Sequence, residues 1–180
     1  MNPTPVLRQL SPAEAGLIAD QLGALLIDAI AGGASVTFLP GLTPTRATAY
    51  WRDVARTAAS DGRATGGRAI ITALDHDGLC GFVQVIPTGF ENQLHRAEIA
   101  KLMVHSRARR RGLGASLLNA AEAAARTMNK TLLTLDTAKG DDAERLYARL
   151  DWQRAGEIPD FALAPSGELA TTVLFWKRLG

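Results

Sequence analysis

The sequence predicts an α/β fold: one domain, residues 1–180, on a mixed central sheet of about seven strands flanked by about four helices. Three observations predict it. Apolar segments with a two-residue period alternate along the chain with segments of helical period. Strand, helix and strand follow one another between His95 and Asp136, a crossover that makes the two strands parallel neighbours with the helix on one face. Between that first strand and its helix lies Leu102-Met103-Val104-His105-Ser106-Arg107-Ala108-Arg109-Arg110-Arg111-Gly112-Leu113-Gly114-Ala115, a basic turn running into glycines. The first N–H groups of a helix have no partner within it, the helix dipole adds positive potential there, and glycines let an anion approach. The turn therefore suits a phosphate or pyrophosphate.

Composition narrows the class. The length suits one core, and 47% of residues are hydrophobic. The net charge is only +2, and the basic excess gathers in Arg107, Arg109, Arg110 and Arg111. Nucleic-acid binding calls for a wider basic stripe, so no nucleic-acid partner is expected. A turn of this kind is often just a solvated face, and that reading stays beside the anion site. The single cysteine, Cys80, allows no disulfide within the chain and points to a reducing, cytoplasmic setting. Met1 to Gln9 lacks the apolar run of a signal peptide. Ile18 to Ile30 is too short and too polar to span a membrane, and no membrane partner is expected.

In chain order, Val6 to Leu10 reads as a strand. Ser11-Pro12-Ala13-Glu14 has the form of a capping box opening a helix. Leu17, Ile18, Leu22, Leu25, Leu26 and Ile30 are its apolar stripe, and Gly32-Gly33 ends it. Thr43-Pro44 opens a second helix carrying Ala47, Tyr50, Trp51, Val54 and Ala58. Asp61 to Gly67 is a polar turn, Arg68 to Leu74 a strand, Asp75 to Gly78 a hairpin connection and Leu79 to Ile86 the returning strand. Cys80 reads as a packed core residue and His76 as a solvated turn residue. His95 to Val104 is a strand, and Gly112 to Met128 a helix with Leu113, Leu117, Leu118, Ala121, Ala124, Ala125 and Met128 buried. Thr131 to Asp136 is a strand, Asp141 to Leu150 a short helix and Trp152 to Ile158 a strand. Pro159 to Leu169 is a loop and Ala170 to Lys177 the last strand.

This order, with Arg109, Gly112 and Gly114 spaced as Arg/Gln-x-x-Gly-x-Gly/Ala, resembles the GNAT superfamily of acyl-CoA N-acyltransferases. A nucleotide-hydrolysing phosphate loop would end in Gly-Lys-Ser/Thr, which is missing here. Within the superfamily, Gly32 to Val36, Arg96-Ala97-Glu98, Lys101 to Val104, Leu135-Asp136-Thr137 and Gly156 to Pro159 are similar to the tabtoxin-resistance group, which acetylates a small β-lactam amino acid. The resemblance implies acetyl-CoA as cosubstrate and no metal. It implies that Leu102, Met103 and Val104 meet the pantetheine arm through the main chain. It implies that Arg109, Arg110, Arg111, Gly112, Leu113, Gly114 and Ala115 hold the pyrophosphate, and that Tyr147 protonates the leaving thiolate. The chain departs from the family pattern at Gly140, where Asn is common, and at Asp151-Trp152, where Gly-Phe is common.

The acceptor demands a base. An alkyl ammonium has a pKa of about 10.4 and must lose its proton, whereas a thiol near 8.5 leaves with less help. On a regular strand Glu98 shares a face with Ala100, Leu102 and Val104, where burial would raise its pKa toward that of a useful base. Asp136 ends the neighbouring strand at the carboxyl edge, where open α/β sheets place ligands. The plainer alternatives are that Glu98 pairs with Arg96 or Lys101 and that Asp136 caps a turn. His105 is a rival base. Phe38 and Trp51 are either core aromatics or pocket walls. Asp160 and Phe161 are further wall candidates on a Gly156–Phe161 turn that closes over the acceptor.

Together these residues describe transfer of acetyl from acetyl-CoA directly to a primary amine of a small molecule. A protein, peptide or aminoglycoside acceptor is an alternative, and so is a non-catalytic acyl-CoA-binding module. A homodimer is left open.

Overall fold

The computed structural model describes residues 4–60 and 67–180; the polar turn expected from Asp61 lies, except for Gly67, outside them. Among the described residues the chain forms seven strands and five α-helices. They are β1 (Val6–Leu10), α1 (Pro12–Leu17), α2 (Ala19–Ala31), α3 (Pro44–Ser60), β2 (Ala69–Asp75), β3 (Gly78–Pro87), β4 (Arg96–Val104), α4 (Leu113–Thr127), β5 (Leu132–Ala138), α5 (Asp142–Arg149), β6 (Gln153–Leu163) and β7 (Leu169–Arg178). The sheet order is β1-β2-β3-β4-β5-β7-β6; β4 and β5 are parallel, and the remaining neighbours are antiparallel.

The fifth helix comes from a break at Ile18, which takes φ −106°, ψ 20° and serves as the last cap of α1 and the first of α2. Ser11 and Glu14 form the expected capping box. Gly16, a poor helix former, precedes the break, and the change of direction leaves Leu17 83% exposed rather than in the buried stripe.

Two apolar layers sandwich the sheet. On one face Ile70, Phe82 and Met103 pack under α1–α3, with Leu22, Leu25, Leu26 and Trp51 buried between. On the other, Val83, Val85, Ala97, Ile99, Leu133 and Leu135 pack under Leu113, Leu117, Leu118, Ala121 and Ala125 of α4. Glu122 is buried in that second layer as well, accepting hydrogen bonds from Trp152 Nε1 (3.2 Å) and Lys177 Nζ (2.8 Å). Cys80 is buried, and desolvation, with Asp75 nearby, pushes its thiol up to about 11. No described helix is long and apolar enough to cross a membrane.

Two irregularities of β4 shape the centre of the sheet. Gln84 pairs with Ala100 and Phe82 with Met103, so Lys101 and Leu102 together face Val83 in a bulge, and Lys101 takes φ 55°. The bulge reverses the alternation of side chains. Glu98, Ala100 and Met103 face the α2–α3 layer, while Ala97, Ile99, Leu102 and Val104 face α4. The expectation that Glu98 shares a face with Leu102 and Val104 is thus corrected. Pairing of β4 with β5 then stops at Glu98–Thr134, and the strands part toward their carboxyl ends.

β6 runs on through Leu163, where a turn and loop were expected. Pro159 misled the reading: it is tolerated because β6 is an edge strand, and a register shift between Ile158 and Ala162, with Asp160 at φ 53°, absorbs it.

Candidate active site

The turn after β4 is held from outside. Asp28 of α2 accepts hydrogen bonds from Ser106 N (2.8 Å) and Ser106 Oγ (2.7 Å), and lies 3.5 Å from His105 Nδ1. His105 is therefore part of the turn's scaffold, with Nδ1 also accepting from Arg107 N (3.4 Å). Arg107 is ion-paired to Asp75, and its Nη2 donates to Leu79 O (3.2 Å), tying the turn to the β2–β3 hairpin. Asp75 is held below the usual carboxylate range by that guanidinium. Arg109 donates from Nε to Val104 O (3.1 Å) and lies against Gly32 at the end of α2. Arg107 and Arg109 thus build the turn, whereas Arg110 and Arg111 are exposed. Arg110 makes only a loose ion pair with Asp142 at 3.6 Å.

Gly112 caps α4 in the left-handed conformation, φ 78°, with no side-chain cap. The N–H groups of Leu113, Gly114 and Ala115 open the helix and have no acceptor within it. Gly114 is also a packing residue, because a Cβ there would meet Leu146 Cδ2 at 3.1 Å. His105 N donates to Cys80 O (2.9 Å), so by antiparallel alternation Met103 turns its main chain to β3 and Val104 turns its own into the gap beside β5. Of this pair, Val104 offers main-chain groups to a ligand in the gap, and Arg109 already occupies its carbonyl. Met103 is a core residue. Leu102 and Val104 half-line the gap on the α4 side.

Glu98 and Asp136 lie on the same face of the sheet. Glu98 pairs with Thr134, and Asp136 is two residues further along β5, on Thr134's side. Among the described residues no ion pair takes either one. Arg96, the expected partner of Glu98, donates instead to Thr134 Oγ1 (3.2 Å). Asp136 accepts from the buried Thr172 Oγ1 (3.0 Å) rather than capping a turn. Glu98 is open to solvent, yet the protein around it partly desolvates the carboxylate. That desolvation, and then the charge of Asp136, raise its pKa above the usual carboxylate value, against the pull of Arg96, Lys101 and Arg68.

Tyr147 of α5 is buried, with its ring against Trp152 (5.9 Å between centroids) and Phe175 (5.7 Å). Burial, then the charge of Asp136, raises its pKa. The phenol is therefore a neutral proton donor throughout the working range. Its hydroxyl has no hydrogen-bond partner among the described residues. The departure at Asp151-Trp152 is accommodated: Asp151 takes φ 62°, as glycine would, and Trp152 fills the core beside Tyr147.

The pocket-wall expectations divide. Trp51 is fully buried, with its Nε1 unpartnered among the described residues, and so is a core residue rather than a wall. It anchors a ladder of edge-on rings, Phe82–Trp51–Tyr50–Phe38, with centroids 4.7 to 5.0 Å apart. Phe38 and Tyr50 are its half-exposed end. Asp160 and Phe161 are exposed on the edge strand. The sequence reading offered Lys101 only as an ion-pair partner of Glu98, and the bulge brings it to the Glu98 face without that pair; the anchoring role of Asp28 was missed. A cavity of about 180 Å³ lies across the turn, lined in part by Asp75, Arg111, Leu113 and Ser116; none of Glu98, Asp136 and Tyr147 borders it. Asp75, His76 and Asp77 meet at the hairpin tip, but their charges are already engaged by Arg107 and each other.

The two parallel strands part at Glu98–Thr134, a left-handed glycine opens α4, Glu98 and Asp136 lie on one face of the sheet, and Tyr147 is buried on the other. The chain belongs to the acetyltransferase (GNAT) family, whose sequence model matches residues 37–152, more than half of it. It is an acetyl-CoA-dependent N-acetyltransferase. The fold is similar to that of ribosomal-protein-alanine N-acetyltransferase from Brucella melitensis (TM-score 0.78, 19% identity, covering 97% of this chain and 99% of that one). It is also similar to an N-acetyltransferase from Staphylococcus aureus Mu50 (0.76, 15%, 99% and 100%). A third likeness is to phosphinothricin acetyltransferase from Sinorhizobium meliloti in complex with AcCoA (0.77, 14%, 99% and 90%).

Proposed function

We propose that the enzyme moves acetyl from acetyl-CoA directly to the primary amine of a small molecule, of the amino-acid kind that the tabtoxin-resistance group acetylates. The observation that carries this is the placement of Glu98 and Asp136 on one face, beside the gap where β4 leaves β5 and with neither in an ion pair among the described residues. Two such carboxylates attract an ammonium. Glu98, with its raised pKa, then takes the amine proton, directly or through one water. The neutral amine attacks the thioester carbonyl, the C–S bond breaks as Tyr147 gives its proton to the departing thiolate, and the second proton that the nitrogen sheds in becoming an amide restores the phenol through solvent. Residues 109–115 hold the pyrophosphate largely through the N–H groups of Leu113, Gly114 and Ala115, with Arg110 and Arg111 adding charge; Leu102 and Val104 flank the pantetheine arm. These steps need proton donors and acceptors and no metal. A cytoplasmic setting fits the lone buried thiol.

The test is thiol release from acetyl-CoA over a panel of amino acids, polyamines, aminoglycosides and peptides. Turnover with small amino acids is expected. Turnover confined to peptides would overturn the acceptor assignment.

A further inference from the structure

The face of the sheet that carries the two carboxylates also carries two cations. The register places Ile70, Gln84 and Ala100 in one row across β2, β3 and β4. Arg68, one step before β2, reaches over β3 and donates from Nη1 to the buried Gln84 Oε1 (3.0 Å). Its guanidinium therefore stands on the face of the sheet that Gln84 shares with its neighbour Ala100 on β4. Lys101 follows Ala100. The left-handed bulge turns its side chain to this same face, where Nζ donates to Thr37 Oγ1 of the α2–α3 connection. Ala100 is the small floor between these groups, with Glu98 on one side of it and Asp136 across the gap.

Among the described residues, no ion pair closes this arrangement. Arg68 Nε is buried and finds no acceptor among the described residues, and Nη2 has none either. Neither Arg68 nor Lys101 forms a described ion pair with Glu98 or Asp136, although Glu98 and Lys101 each feel the charges of Asp136, of Arg68 and of one another. Two acids and two bases facing each other without pairing form the complement of a small zwitterion. The ammonium meets the acids and the anion meets the bases.

We propose that Arg68 and Lys101 form an anion subsite over Ala100, so that the acceptor is an amino acid or close analogue whose carboxylate, or equivalent anion, is bound there. This rests on the reading of Glu98 and Asp136 as the amine site, and it adds residues that select the acceptor. Arg68 binds by a fixed fork held at Gln84. Lys101 adds a point charge whose reach is set by Thr37.

The test compares the common L-amino acids with their carboxamides, which keep the amine and lose the anion, in the thiol-release assay. Acids are expected to exceed amides in kcat/KM by roughly ten- to a hundredfold, the range of one or two hydrogen bonds between charged groups. Arg68→Gln and Lys101→Met should each raise KM for the acids and narrow the gap, with the amides losing far less. Arg68→Lys should restore part of the preference, which a purely structural arginine would not show. Amides used as well as acids, or variants that lower both alike, overturn the subsite. Turnover with polyamines or aminoglycosides but with neither acids nor amides overturns it too, while the transferase reading stands. Thiol release with no amine at all removes that reading, and the subsite with it.

Discussion

Arg109 lies so close to Gly32 that a Cβ on the glycine would fall 2.5 Å from both terminal guanidinium nitrogens. The same side chain holds Val104 O at 3.1 Å. The arginine of the signature thus acts as a brace between the end of α2 and the end of β4. Gly32→Ala, at φ −85°, strains no backbone but displaces the flexible guanidinium. Gly32→Ala and Arg109→Ala should each weaken acetyl-CoA binding several-fold, and the double variant should lose little more than either alone. Calorimetric titration of the three variants checks this; additive losses would mean that Arg109 binds the coenzyme itself.

Arg110 and Arg111 are exposed, and Arg110 keeps only a loose surface ion pair with Asp142. Replacing either with Ala should leave the melting temperature within the small range of surface changes, about ±0.5 kcal/mol in stability, and should weaken acetyl-CoA binding mainly at low salt. Gly112→Ala should cost about 1–2 kcal/mol, because φ 78° is unfavourable with a Cβ, and should also loosen the N–H cluster. Binding measured at low and high salt, beside melting curves, separates charge from backbone.

The Arg107–Asp75 pair gives an acid-sensitive term. Asp75 has its pKa depressed in the fold, so the stabilisation is present above the unfolded value of about 3.9 and is lost as pH falls through the depressed folded value. Arg107→Ala should cost about 1.5–3 kcal/mol at pH 7, the range for a hydrogen bond to a charged group. Urea unfolding of wild type and variant should show the difference shrinking as pH drops below about 4.

The sequence carried the architecture because long periodic segments carry it. The crossover through α4, the capping box at Ser11 and the glycine cap at 112 are all local signals. What failed was decided by tertiary pairing. No local pattern around Lys101 announces a bulge, yet that bulge decides which side chains share a face with Glu98. Pro159 looked like a strand end only because edge position cannot be read from one segment. Trp51 was open between core and wall because helical spacing does not reveal what lies above a helix, and its burial decides for the core. Glu122 was legible in principle: it follows Leu118 by one helical turn, and a glutamate in that stripe needs the partner that Lys177 supplies.

Glu98 and Asp136 share a field. Removing the Asp136 charge lowers the Glu98 pKa, since that charge helps to raise it. Carbon-13 NMR of the glutamate side-chain carboxyls should show Glu98 titrating above about 4.3, the ordinary value, in the wild type. In Asp136→Asn the midpoint should move down. An unmoved midpoint would separate the two groups.

The role of Glu98 as base is tested most directly by kcat for Glu98→Gln across pH, beside Tyr147→Phe. Amine deprotonation is the harder step. Glu98→Gln should therefore lose about 10²–10⁴ in rate with its acid limb removed, and Tyr147→Phe should lose less. Wild-type turnover with the wild-type pH profile in Glu98→Gln would contradict it.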